Sequence, residues 1–135
     1  MHTTDKGDIT VAVLAARMLQ SRAAVLKPLT ENSRYDLVID RGHGFERVQC
    51  KTGRIRKGVV AFRTASTHHH RGGGLRGYIG EADLFGVYCP DNDECYLIPV
   101  SDLSVGIGYL RITPPKNKQV ANVKYAAAYR LDKPL

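Results

Sequence analysis

The chain has 135 residues, 43% of them hydrophobic, which suits one domain with one core that needs neither disulfides nor metal to fold. Charged residues make up 24%, so this is no long disordered protein. A net charge of +7 and a pI near 9.5 point to a polyanionic partner, nucleic acid ahead of an anionic membrane surface.

Three cysteines, Cys50, Cys89 and Cys95, are too few and too irregular for a disulfide framework. Cys50 and Cys89 sit in apolar segments and read as small buried hydrophobes, while Cys89 and Cys95 are placed to meet across a hairpin. A reducing cytoplasm, or association with the nucleoid, is the simplest home. The polar stretch Met1 to Asp8 is no signal peptide, and no apolar run is long enough for a bilayer.

In chain order, a helix is expected from Asp8 to Gln20, with Ile9, Ala12, Val13, Ala16 and Leu19 on one stripe and apolar residues around most of its surface. Asp8 is placed to act as an N-cap or first-turn carboxylate. Val25 to Leu29 reads as a short strand, followed by the polar turn Thr30 to Ser33. Tyr35 to Asp40 and Phe45 to Thr52 alternate as strands around the turn Arg41 to Gly44. Val59 to Arg63 is a further strand, and residues 66–77 form a Gly-, His- and Arg-rich loop. Leu84 to Cys89 and Glu94 to Pro99 pair around Pro90 to Asp93. Pro114 to Gln119 leads to a helix-like tail at Val123 to Tyr129. The order implies a single α+β domain, residues 1–135, with a mixed sheet and few helices.

The central hairpin carries the chemistry. With a four-residue turn, Asp40 opposes Phe45, and stepping back brings Asp36 opposite Gln49 at about 4.5–5.5 Å between Cβ atoms. Lys51 lies two residues on and shares that face, while Leu37, Ile39, Val48 and Cys50 face a core. Asp36 offers hard oxygens to Mg²⁺, Gln49 an amide oxygen, and Cys50 a backbone carbonyl. Lys51 is suited to orient water or to neutralise charge on a reacting phosphate. An ordinary surface ion pair between Asp36 and Lys51 accounts for the same pattern.

The strings Tyr35-Asp36-Leu37-Val38-Ile39-Asp40 and Arg47-Val48-Gln49-Cys50-Lys51-Thr52-Gly53 resemble PD-(D/E)XK endonucleases. They are most similar to the small branch typified by a cyanobacterial group I intron homing endonuclease, where the third motif residue is Gln. Lys6-Gly7-Asp8, Asn32-Ser33-Arg34, Asp83 to Pro99, Leu110-Arg111 and Asn117-Lys118-Gln119 extend the likeness over nearly the whole chain. The resemblance implies a restriction-endonuclease-like core with a mixed sheet flanked by helices. It also implies Mg²⁺ dependence, with Mn²⁺ as a substitute, and cleavage of double-stranded DNA by a homodimer or homotetramer. By this likeness Asp36 is a metal ligand, Lys51 the catalytic lysine, and Gln49 stands in the place of the usual acidic ligand.

One position departs from the pattern. The family often carries a Glu in the first helix, and that position here is Val11. Asp8, one turn earlier, shares its face and is the substitute ligand to consider. Without it the chain is a poor or inactivated nuclease, or a DNA-binding protein with a degenerate nuclease site; a Holliday-junction resolvase is a separate alternative. DNA contacts are expected from Asn32, Ser33 and Arg34 and from the basic run Arg54, Arg56 and Lys57. The loop around His70, Arg71 and Arg76 is expected to order on DNA. Three adjacent histidines do not converge on one metal ion, which argues against a zinc site there.

Overall fold

The computed structural model describes residues 3–67, 74–114 and 123–133. One helix, α1 (Thr3–Gln20), is followed by β1 (Ala24–Leu26), β2 (Leu37–Asp40), β3 (Phe45–Thr52), β4 (Arg54–Arg56) and β5 (Val59–Arg63). Then come β6 (Ser66–Thr67), β7 (Leu75–Arg76), β8 (Leu84–Cys89), β9 (Glu94–Pro99), β10 (Ile107–Arg111) and β11 (Arg130–Leu131). Six strands form a mixed sheet in the order β1-β2-β3-β8-β9-β11, in which β3 and β8 run parallel and their other neighbours antiparallel. A second, antiparallel sheet has the order β10-β5-β4.

The α+β class expected from the sequence is the class observed, with α1 as the one α-helix among the described residues. This helix covers one face of the large sheet, where Leu14 and Met18 pack on Leu37, Ile39, Val48, Cys50 and Leu84. The opposite face is covered by the small sheet rather than by a helix. There Val60, Phe62 and Leu110 meet Phe85, Val87, Tyr96 and Ile98. Burial on both faces explains the unbroken apolar run of β8.

The helix differs from its expectation in two ways. It begins at Thr3, so Asp8 lies inside it and cannot be its N-cap. Its buried stripe is Thr10, Leu14 and Met18 at i, i+4, i+8, while Ile9, Ala12, Ala16 and Leu19 face outward. An apolar surface nearly all round had hidden the true phase, and the polar Thr10 marks the buried side. Its hydroxyl is 2.6 Å from that of Thr52, which meets its need for a partner. Gly86 lets the helix approach β8, since a Cβ there would stand 2.8 Å from Val48 Cγ1 and 3.4 Å from Leu14 Cδ1.

Strands β3, β5, β8 and β9 have the limits read from the sequence. β1 is shorter than Val25 to Leu29, and β2 begins at Leu37, leaving Tyr35 and Asp36 ahead of it. Arg54 and Arg56 of the basic run lie on β4, and β10 joins the same sheet across β5. Within the stretch read as a loop, Ser66 and Thr67 of β6 pair with Arg76 and Leu75 of β7, and the tail holds a 3₁₀ turn, Ala126–Ala128, before β11. Cys89 opposes Glu94 and Cys95 opposes Tyr88, so the two cysteines do not meet; all three thiols are free and buried.

Arg47 and Asp83 tie β3 to the start of β8. Asp83 accepts from the Arg47 backbone N–H at 2.7 Å and from its guanidinium at 3.1 and 3.2 Å. The Arg47 guanidinium beside it is the main reason the Asp83 carboxyl titrates below its ordinary value. Asp83→Ala is expected to cost about 1 kcal/mol, because the pair is solvent-exposed but the backbone N–H also loses its acceptor. An unchanged urea unfolding midpoint would show that the clamp adds nothing.

Candidate active site

The hairpin register is the expected one, with Asp40 opposite Phe45 and Leu37 opposite Val48. Beyond Leu37 the ladder stops. The Asp36 N–H donates to the Val48 carbonyl at 2.8 Å, and the Asp36 carboxylate accepts from the Cys50 N–H at 2.8 Å. A side chain thus takes the place of a backbone partner at the edge of β3. A strand residue presents its N–H and C=O to the same neighbour, so the Cys50 carbonyl is directed to the edge where Asp36 lies.

Burial pushes the Asp36 carboxyl above its ordinary value. The Cys50 N–H, Lys51 and Lys27 oppose this only in part. A half-buried carboxylate short of water is a favourable place for a cation. The Cys50 thiol itself is pushed far up, first by burial and then by Asp36, so it is inert as a thiolate.

Gln49 and Lys51 alternate with the buried Val48 and Cys50, and both are half-buried. They lie beside Phe85 and Val87 in the parallel ladder, on the face towards the small sheet. The Lys51 ammonium donates to the Tyr78 hydroxyl at 3.2 Å and stands 5.0 Å from the ring centroid. It is therefore held by Tyr78, and the simple Asp36–Lys51 surface ion pair is not what the fold builds. The two remain electrostatic neighbours, since Lys51 is among the groups that lower the Asp36 titration.

A cavity of about 710 Å³ opens on the helix side of Asp36. Asp8, Val11, Lys27 and Asp36 all line it. The fold thus brings Asp8 and the valine at the family's glutamate position to the same cavity as the carboxylate. Among the described residues no three His, Cys, Asp or Glu side chains gather closely enough to hold a metal by themselves.

Several residues expected on DNA do other work. Arg34 donates to Glu81 at 2.9 Å, to the Ser66 hydroxyl at 2.8 Å and to the Gly77 carbonyl at 2.9 Å, and lies 4.0 Å over the Tyr78 ring. Arg76 gives its guanidinium to both oxygens of Glu81 at 2.9 Å. Burial works against ionisation of Glu81, yet Arg76 and Arg34 together hold its carboxyl below the ordinary value. These two arginines are therefore engaged with Glu81 within the protein. Ser33 shares a 2.7 Å hydroxyl contact with Thr30 in the turn before Asp36, and Asn32 is exposed there. Arg54, Arg56 and Lys57 are exposed on and after β4. His70 and Arg71 lie outside the described residues.

Tyr78 and Glu81 were missed in the sequence. Tyr78 is buried, braced edge-on by Phe85 with ring centroids 5.6 Å apart, and it receives both Arg34 and Lys51. Nothing local marks it, because its partners lie 27 and 44 positions away.

The family model for PD-(D/E)XK endonuclease matches residues 1–132. Among solved structures, the fold is similar to that of a bacterial homing endonuclease, I-Ssp6803I, with a TM-score of 0.74 and 24% identity. The match covers 96% of this chain and 89% of that one. No curated protein matches the sequence.

Proposed function

We propose, since the chain belongs to the PD-(D/E)XK endonuclease family, that it hydrolyses phosphodiester bonds of double-stranded DNA with the help of Mg²⁺. The observation that carries this reading is the Asp36 carboxylate, drawn to the edge of β3 by the Cys50 N–H at 2.8 Å and set near Lys51. Asp36, Gln49 and the Cys50 carbonyl offer one anionic and two neutral hard oxygens. That donor set fits a loosely held Mg²⁺, or Mn²⁺ in its place, whose remaining positions go to water and phosphate. When bound, such an ion lowers the pKa of water and neutralises charge on phosphate.

The protein's own groups divide the remaining work. Asp36 supplies negative charge where burial has removed competing water. Lys51, steadied by the Tyr78 hydroxyl, presents a fixed positive charge to the scissile phosphate as charge builds on it. Exposed Arg54, Arg56 and Lys57 meet the flanking backbone. Cutting both strands requires two such centres, so the working form in this reading is a homodimer or homotetramer.

The test is cleavage of linear, supercoiled and four-way-junction DNA with Mg²⁺ or Mn²⁺. Metal-dependent nicking or cutting supports the reading. Preference for the junction over every linear duplex would move it to a resolvase. Binding without cutting under all conditions would favour a DNA-binding protein with a degenerate site.

The second reading rests on Val11, an apolar side chain lining the same cavity as Asp36. Val11→Glu adds a third carboxylate to that cavity, beside Asp8 and Asp36. The variant is expected to reach half-maximal cleavage at roughly tenfold lower Mg²⁺, as each added ligand charge tightens a hard-cation site. A metal requirement that does not fall would show that residue 11 stands too far from the ion to serve it.

A further inference from the structure

We infer that the outer face of the small sheet is a platform for the phosphate backbone of duplex DNA, with Arg63 and Arg111 completing a surface begun by Arg54 and Arg56. The inference rests on the nuclease reading and adds to it a docking surface. Cross-strand pairing aligns Arg54 with Ala61 and Tyr109, Arg56 with Val59 and Arg111, and Arg63 with Ile107. Partners in register share a face. The residues between them, Ile55, Val60, Phe62, Gly108 and Leu110, point into the core.

Four of the eight outward positions are therefore arginine and none is acidic, a composition that repels a second copy of itself and attracts a polyanion. Among the described residues none of these four arginines pairs with a carboxylate, in contrast to Arg34, Arg41, Arg47 and Arg76. Among the described residues the Arg111 guanidinium makes one long contact, 3.4 Å to the Lys57 carbonyl, and meets no carboxylate. The half-exposed Tyr109 and Ile107 add flat apolar area suited to sugars and groove walls.

The platform is braced and follows directly on β3 in the chain. Lys57 and Gly58 both have positive φ, +50° and +77°, the backbone of a tight two-residue hairpin turn between β4 and β5. Asp91 holds the inner edge through the Ile55 N–H at 2.8 Å. Only Gly53 separates β3 from β4, and a Cβ there would strike Val60 Cγ1 at 2.8 Å. Lys51 and Arg54 are three residues apart in the chain, so their Cα atoms lie within about 10 Å of each other.

The experiment is fluorescence anisotropy of a mixed-sequence duplex of about 30 bp, in EDTA, over about 50–200 mM salt. Arg63→Gln/Arg111→Gln is expected to weaken binding at least about tenfold and to flatten the log K against log salt slope by about 2. Arg63→Lys/Arg111→Lys should keep the slope, since it keeps the charges. Arg22→Gln/Arg130→Gln removes the same charge from elsewhere and should change affinity by less than about threefold. Thermal melting checks each fold; should the double variant melt early, the exposed Arg63→Gln alone is expected to flatten the slope by about 1. Full binding by Arg63→Gln/Arg111→Gln, or an equal loss in both Gln pairs, overturns the platform while leaving the nuclease reading intact. Failure of the natural chain to bind the duplex overturns both.

Discussion

Lys51→Ala will cleave DNA at least about 100-fold more slowly than the natural chain and still bind the same duplex within a few-fold. The first half follows from removing a fixed positive charge from the place where phosphate charge increases in the transition state. Losing one such preorganised group costs about 10²–10³ in rate. The second half follows from position. Lys51 is half-buried and held by the Tyr78 hydroxyl at 3.2 Å, whereas ground-state affinity is expected from exposed arginines on the small sheet. Single-turnover cleavage and equilibrium anisotropy on one substrate separate the two. Equal losses in both would make Lys51 a binding residue only; undiminished cleavage would remove it from the chemistry altogether.

Asp36→Asn will abolish detectable cleavage and at the same time make the protein harder to melt at neutral pH. The carboxylate is the single anionic ligand in the proposed donor set, so its loss removes the attraction for the cation. The stability gain has a separate origin. Burial raises the Asp36 carboxyl above its ordinary value more than the Cys50 N–H, Lys51 and Lys27 lower it, so folding disfavours the ionised form. A group whose folded pKa is raised lends stability that is complete below its unfolded pKa and lost as pH rises through the folded one. Where the folded carboxyl is ionised that stability is gone, and asparagine, neutral at every pH, restores it while still accepting the Cys50 N–H. Below the ordinary carboxylate range both forms are neutral and the difference should vanish. Added Mg²⁺ should raise the melting temperature of the natural chain and not of the variant. Calorimetry at several pH values and metal concentrations reads all of this, and a variant that melts lower at pH 7 would show that the Cys50 contact outweighs burial.

Tolerance of Val11→Glu, by contrast, depends on space as much as charge. Val11 is half-buried against the helix-side core, and the cavity beside it is what gives a longer side chain somewhere to go.

Much of this fold was legible along the chain because its strands alternate cleanly. Arg41 to Gly44 fixed the hairpin register through its length, and β3, β5, β8 and β9 begin and end where alternation or apolar runs meet turn residues. The helix was legible as a helix but not in its phase. Ile9, Ala12, Ala16 and Leu19 are as apolar as the residues that are buried, so periodicity alone could not choose between stripes.

The sequence by itself determined the α+β order, the hairpin with Asp36 facing β3, and the spacing that sets Gln49 and Lys51 on one side of a strand. These are local properties, governed by a two-residue period and a four-residue turn. Only the tertiary structure decided that Lys51 leans on Tyr78, that Arg34 and Arg76 are spent on Glu81, and that Val11 and Asp8 share a cavity with Asp36. It alone also placed β10 beside β5, gathering arginines from positions 54 to 111 onto one face. Each of these depends on residues distant in the chain meeting through strand order, and strand order is set by how apolar faces pack together, which no local pattern encodes.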